Sequence, residues 1–321
     1  MKKTVGIVGA NGYTGSELVR LLAFHPFVTL SFLYSRSHPG MKISDLYPDL
    51  TAVCEKALTD EPGDVDILFL CLPHKESRNW LSQNRIGKET LVIDLGNDFR
   101  LDGGFGDRDF IYGLPEINKK QLQEAKSIAN PGCFATAIQL ALLPLAEKGI
   151  LDEVFTTGIT GSTGAGQSLQ ATTHFTWRND NISAYKTLKH QHADEILNQL
   201  TRLNHKNIDL NFVPWRGDFA RGIFTSSTLK TSLELSSLEQ LFQDFYEDEP
   251  FVKVSGNAID LKQVVNTNRC VIQIEKNGNV AVIHSAIDNL LKGASGQAVQ
   301  NMNIAMGWDE YLGLNLKPVA F

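Results

Sequence analysis

Cysteine is scarce in this chain: four in 321 residues, Cys54, Cys71, Cys133 and Cys270. They lie far apart and no two form a CxxC pair, which excludes a disulfide framework or a zinc ribbon. Long hydrophobic runs are also missing. No stretch approaches the ~20 apolar residues that cross a bilayer. The apolar run after Lys2 and Lys3 breaks at Gly9 and turns polar, unlike a secretory leader. Positive charge is not in excess: 30 Lys and Arg stand against 36 Asp and Glu, a net charge of −6. That balance argues against a general nucleic-acid binder. There is no proline-rich linker, internal repeat or low-complexity tract. The expectation is a cytoplasmic protein with reduced thiols whose partners are neither membranes nor nucleic acids.

What is present has the composition of a globular protein, 42% hydrophobic and 21% charged, with length for two domains. Thr4 to Ala10 (TVGIVGA) reads as a strand, and GSELVRLLAFHP follows with helical spacing and Pro26 just beyond. Val28–Tyr34, Asp64–Pro73 and Glu89–Gly96 are further strands, the last two nearly continuous apolar runs of the kind covered on both faces. Strands alternating with helices predict an α/β fold with a Rossmann-type, doubly wound parallel sheet over residues 1–132. After Cys133 the texture changes to longer alternating stretches. Asn-Gly at 277–278 between two of them signals a hairpin. Residues 133–288 read as an α+β domain with a mixed, largely antiparallel sheet. Residues 289–321 are expected to form a C-terminal helix that packs back on the first domain, and Leu101 to Asp109 a mobile loop.

The turn GANGYTG puts Gly9, Gly12 and Gly15 between the first strand and the first helix. Glycines there let the backbone approach a pyrophosphate, and the helix start supplies free N–H groups. A ribose-binding acid is expected about 20 residues on for NAD. The chain has YSRS instead, Tyr34 to Ser37. Arg36, with Ser35 and Ser37, suits a 2′-phosphate and points to NADP. The alternative for Arg36 is a solvated surface arginine.

Cys133 follows Asn130-Pro131-Gly132 and opens the apolar segment CFATAIQLALLPLA. A helix N-terminus favours a thiolate, so the position suits a nucleophile better than a packing residue. The KHQHADEI segment supplies His190 and His192, with Glu195 in the turn that follows. An acyl-forming cysteine needs such a partner. HxHxxE could also ligate zinc, but no further His or Cys cluster stands nearby in sequence, and no metal is assigned. The glycine-rich GITGSTGAGQS, with Thr160, Ser162 and Thr163, reads as an anion-binding nest or as a flexible hairpin.

Taken together, GANGYTGSELVRLL, DLGNDFRL, YGLPEIN, NPGCFATA, KHQHADEI, RGIF and DNLLKGASGQAVQ resemble the N-acetyl-gamma-glutamyl-phosphate reductase family of the semialdehyde dehydrogenase superfamily. The resemblance runs from residue 4 to about residue 307. It implies NADPH-dependent reduction of an acyl phosphate to a semialdehyde in arginine biosynthesis, through a thioester on Cys133. His190 matches the acid/base histidine. Asp194 replaces a usual proline, and the choice between His190 and His192 stays open. Asn130 is implied near the oxyanion. Gly9, Asn11, Gly12, Tyr13, Thr14, Gly15, Ser35, Arg36, Ser37, Gly164 and Asn289 are implied on the NADP side. Arg100, Ser162, Glu195 and Arg221 are implied on the substrate. A homodimer or homotetramer is the implied assembly. The competing readings are an aspartate-semialdehyde dehydrogenase or related acyl-phosphate reductase, and a non-catalytic nucleotide-binding redox sensor.

Overall fold

In the computed structural model, residues 1–319 are described. The chain forms two compact units, Met1–Gly132 together with Ala294–Leu316, and Cys133–Gly293 together with the segment from Lys317 on. Among the described residues, no helix is long and apolar enough to cross a membrane.

The first unit is a parallel sheet of seven strands with helices between them. β1 (Lys3–Val8) leads through the glycine turn into α1 (Tyr13–Leu22), β2 (Val28–Tyr34), the short α2 (Ile43–Leu46) and β3 (Leu58–Thr59). β4 (Ile67–Leu70), α3 (Ser77–Gln83) and β5 (Leu91–Asp94) follow. β4 and β5 are buried throughout, which is why their sequences are continuously apolar. Next come a small hairpin, β6 (Gly104–Phe105) with β7 (Arg108–Asp109), then β8 (Ile111–Tyr112), α4 (Pro115–Leu122) and β9 (Ser127–Ala129). The strand order is β3-β2-β1-β4-β5-β9-β8. The order reverses between β1 and β4, and in open parallel sheets ligands bind at the strand C-termini of such a switch point.

The stretch expected as a mobile loop is the β6–β7 hairpin. Arg108 fastens it by donating to the carbonyls of Gly87, Thr90 and Lys126 and to Ser127 Oγ.

The second unit begins with α5 (Cys133–Glu147), thirteen of whose fifteen residues are buried. Pro144 sits inside it and cannot donate to the carbonyl four residues back. The Tyr246 hydroxyl donates to that carbonyl, Leu140 O, at 2.6 Å, so the helix continues through the proline. β10 (Glu153–Thr160), α6 (Phe175–Arg178), β11 (Ser183–Ala184), α7 (His192–Asn204), β12 (Asp209–Arg216) and β13 (Ile223–Lys230) follow. α8 (Leu235–Phe245), β14 (Val252–Ser255), β15 (Cys270–Asn277) and β16 (Val280–Ile287) complete the unit. The sheet order is β11-β12-β10-β13-β16-β15-β14. Its β10–β12 and β14–β15 pairs are parallel and the other four antiparallel. α5 packs on β13, β16 and α7. The hairpin at Asn277-Gly278 forms as expected, with Asn277 opposite Val280 and Gly278 at φ +58°.

The tail is not one helix over 289–321. Residues Leu291–Ser295 make a π turn and α9 spans Gly296–Ala305. α9 packs on α1 and α4 of the first unit. The far end of the expected segment, residues 320–321, lies outside the described residues.

Candidate active site

The glycine turn of the first unit uses its three glycines differently. Gly9 has φ +81°, and a Cβ there would lie 2.3 Å from Cys71 O. At Gly15 a Cβ would lie 2.4 Å from Gly9 O. Both are demanded by the fold. At Gly12 the nearest atom would be Gly9 O at 3.5 Å, an ordinary contact. Packing does not exclude a side chain at Gly12. Gly12 caps α1 without a side chain, and the first turn carries no acid. The N–H groups of Asn11, Tyr13 and Thr14 have no acceptor among the described residues. Free N–H groups at a helix start are suited to an anion.

Ser35 is buried at the end of β2, and Arg36 and Ser37 are exposed beside it. Ser37 Oγ lies 3.3 Å from Ser35 Oγ and accepts from Asn11 Nδ2 at 3.4 Å. The hydroxyls at the end of β2 therefore join the glycine turn. Arg36 makes no ion pair among the described residues. Cys71, just past β4, is partly buried, and desolvation pushes its thiol up to about 12, which makes it inert at neutral pH. Asp94, at the end of β5, accepts from Ser77 Oγ and Gly96 N, and burial lifts its carboxyl to about 6.

Two expected site residues are engaged within this unit. Asn130 is fully buried, its amide donating to Ala294 O and accepting from Asn301 Nδ2. It fixes the turn before Cys133 rather than presenting an oxyanion donor. Arg100, expected on a substrate anion, instead donates to Asn130 O and Leu95 O.

In the second unit Cys133 is the first residue of α5 and partly exposed. Gly293 reaches it so closely that a Cβ there would lie 2.8 Å from Cys133 Cβ. The neighbouring Phe134 ring packs on His190, with centroids 5.7 Å apart. Gly158 of β10 makes room for that ring, since a Cβ would meet Phe134 Cε1 at 2.5 Å. His190 is enclosed by Phe134, Phe212, Tyr185 and His192 and is only 6% exposed. The phenol of Tyr185 is driven well up by burial, and the charge of Cys133 adds to the rise. Cys133, Tyr185 and His190 therefore form one cluster.

His192 N–H donates to His190 Nδ1 at 3.2 Å. The neutral His190 ring consequently carries its proton on Nε2 and offers a donor there. The segment that delivers these residues is strained, with Asp180, Lys186 and Leu188 all at positive φ. Glu195 is buried in the first turn of α7. Among the described residues no group of three His, Cys, Asp or Glu side chains could hold a metal ion.

The second glycine stretch is neither an anion nest nor a free hairpin. The N–H groups of Gly161, Ser162 and Thr163 donate to the carbonyls of Gly222, Phe219 and Ala220. Gly164 N–H donates to Gly161 O, and Gly166 N–H to Thr163 O. Asn289 clamps the same region, accepting from Gly222 N and donating to Thr163 Oγ1. Arg221, the other expected anion ligand, pairs with Asp288 through Nε and Nη2. Tyr185 carried no sequence signal and emerges only from the fold.

Residues 4–125 match the family model described as the semialdehyde dehydrogenase NAD binding domain, and residues 133–289 the semialdehyde dehydrogenase dimerisation domain. A curated relative from Flavobacterium johnsoniae is 51% identical, covering 99% of both chains. Another, from Christiangramia forsetii, is 48% identical over 97% of this chain and 98% of its own. A third, from Bacteroides fragilis, is 48% identical over 98% and 99%. All three are named N-acetyl-gamma-glutamyl-phosphate reductase. The chain belongs to this family of semialdehyde dehydrogenases. Its fold is shared with aspartate semialdehyde dehydrogenase II of Vibrio cholerae, at a TM-score of 0.74 and 16% identity over 96% of this chain and 99% of the other. The Candida albicans enzyme solved with NADP gives 0.70 and 14%, over 95% and 99%.

Proposed function

We propose that this chain reduces N-acetyl-gamma-glutamyl phosphate to N-acetyl-glutamate semialdehyde and phosphate with NADPH, as a step of arginine biosynthesis in the cytoplasm. The observation that carries the reading is the placement of Cys133 at the start of α5, in one cluster with Tyr185 and His190. The names of relatives at 48–51% identity fit it.

The chemistry follows from those positions. The partial positive charge at the start of α5 stabilises the Cys133 thiolate. The sulfur attacks the acyl-phosphate carbonyl, the C–O bond to phosphate breaks, and a thioester remains on Cys133. The proton lost by the thiol balances the one taken up by the departing phosphate. When bound, the reduced nicotinamide supplies a hydride. Collapse of the oxyanion left by reduction breaks the C–S bond, releases the aldehyde and restores the thiolate. His190, with Nδ1 held by His192 N–H, contributes its Nε2–H as the donor that lowers the energy of developing negative charge. His192 positions that ring. The cradle at Gly12 with Tyr13 and Thr14 would hold the pyrophosphate. Arg36, Ser35 and Ser37 would hold a 2′-phosphate, which favours NADP over NAD. A homodimer or homotetramer agrees with the dimerisation domain matched by the second unit.

The test is the reverse reaction, reduction of NADP followed by absorbance with N-acetyl-glutamate semialdehyde and phosphate. Phosphate-dependent turnover, at least about 100-fold more efficient than with aspartate semialdehyde, is expected. Turnover with aspartate semialdehyde alone would assign the chain to the other substrate.

A further inference from the structure

Arg178, the last residue of α6, has an unusual environment. Its residue is 7% exposed, while Phe175, Trp177 and Asn179 around it are exposed. Its Nε, Nη1 and Nη2 are all buried and make no hydrogen bond among the described residues. Buried guanidinium groups are ordinarily paired. The charged groups that face it are Arg216 and Asp218. The nearby carboxylate, Asp218, accepts from Asp180 N–H through Oδ2 at 2.7 Å and leaves Arg178 unbonded. Arg216 is held in place at the end of β12. Its Nη1 donates to Thr172 Oγ1 at 2.9 Å, and its guanidinium lies 4.7 Å from the centre of the Tyr185 ring. Tyr185 in turn packs on His190 and feels the charge of Cys133. Two like charges are thus brought together beside the nucleophile's cluster, with one complete fork of donors unused.

We propose that Arg178 and Arg216 form a carboxylate-binding subsite of the catalytic unit, which takes a carboxylate of the acyl-glutamyl substrate. This deepens the reading under Proposed function and rests on it. A planar guanidinium fork suits a carboxylate bidentately, and a bound carboxylate would relieve the repulsion between the two arginines. Arg100 and Arg221, the anion ligands expected from the sequence, are committed to carbonyls and to Asp288. A substrate carboxylate has two sources, the α-carboxylate of the glutamyl skeleton or a second carboxylate at the end of the N-acyl group.

The test compares wild type with Arg178→Gln in the reverse reaction on three aldehydes: N-acetyl-glutamate semialdehyde, its analogue lacking the α-carboxylate, and N-succinyl-glutamate semialdehyde. Loss of a charge-assisted pair is expected to raise KM by about 10- to 100-fold, with kcat changed by less than about 5-fold. Arg178→Lys is expected to recover part of the loss. If the analogue lacking the α-carboxylate is the one insensitive substrate, the α-carboxylate is the ligand. If only the succinyl substrate is sensitive, the acyl carboxylate is. Unchanged KM for all three aldehydes, or a rise in KM for phosphate alone, overturns the proposal. Removing an unpaired buried charge should not lower the melting temperature, which separates a binding effect from misfolding. If wild type turns over none of the aldehydes, the functional reading fails and alkylation of Cys133 decides the subsite. Iodoacetate should then lose at least about 5-fold of its rate relative to iodoacetamide in Arg178→Gln. An unchanged ratio contradicts the subsite.

Discussion

Each unit has a glycine-rich stretch that follows a strand, and the two do opposite things with their backbone. Around Gly9–Gly15 the N–H groups of Asn11, Tyr13 and Thr14 are left at a helix start without acceptors among the described residues. Around Gly161–Gly166 the N–H groups are consumed by the carbonyls of 219–222 and by the loop's own turns. The first stretch keeps its donors at a helix start, and the second spends them as a structural joint. The same contrast holds for buried acids. Among the described residues Asp94 Oδ2 has no partner, whereas Asp288 accepts from Arg221 and from the N–H groups of Asn266, Leu290 and Leu291. Glycine count does not distinguish a binding loop from a packing loop. The destination of the donors does.

Substitution at the glycines themselves gives the widest separation. Gly9→Ala meets both a positive φ and Cys71 O at 2.3 Å. A loss on the order of 3 kcal/mol or more is expected in chemical denaturation, up to failure to fold. Gly161→Ala meets Ala220 O at 2.5 Å and should also destabilise, by about 2 kcal/mol, without changing dinucleotide affinity. A dinucleotide affinity that fell with Gly161→Ala would break the comparison.

The acids come next. The folded-state value of Asp94, about 6, lies above its ordinary 3.8, so ionisation opposes folding. That penalty is absent below about pH 4, grows between about 4 and 6, and is complete above. Asp94→Asn should therefore stabilise the protein by on the order of 2–3 kcal/mol at pH 7 and by nothing at pH 4. A gain independent of pH would show that the unpaired oxygen is not the cause.

Gly12→Ala has a smaller effect, of a different kind. Stability should stay within about 1 kcal/mol, while dinucleotide affinity in a fluorescence titration falls about 10-fold. Arg36→Ala should have the smallest effect, lowering the preference for NADPH over NADH by up to about 10-fold with little change for NADH.

The parts legible from sequence were those where one residue type has one local reason. Gly9, Gly12 and Gly15 between a strand and a helix announced the turn from β1 into α1. Asn130-Pro131-Gly132 before an apolar run placed Cys133 at a helix start, and Asn277-Gly278 placed the hairpin. Residues whose role depends on a partner distant in sequence were not legible. Asn130, Arg100 and Arg221 look like ligands until Asn301, Leu95 and Asp288 occupy them. The Gly161 stretch resembles a nest until residues 219–222 fill it. Arg178 is the reverse case, ordinary in sequence and exceptional only because no acceptor among the described residues reaches its buried nitrogens. Tyr246 shows the same limit, since nothing local links it to the carbonyl that Pro144 leaves free.

The whole account turns on acyl transfer to one sulfur. Intact-protein and peptide mass spectrometry of the enzyme mixed with N-acetyl-gamma-glutamyl phosphate, in the absence of NADPH, reads this directly. The account predicts an acyl adduct confined to Cys133, absent from Cys133→Ser and discharged as aldehyde when NADPH is added. An unmodified Cys133 in enzyme that nevertheless turns over would contradict it.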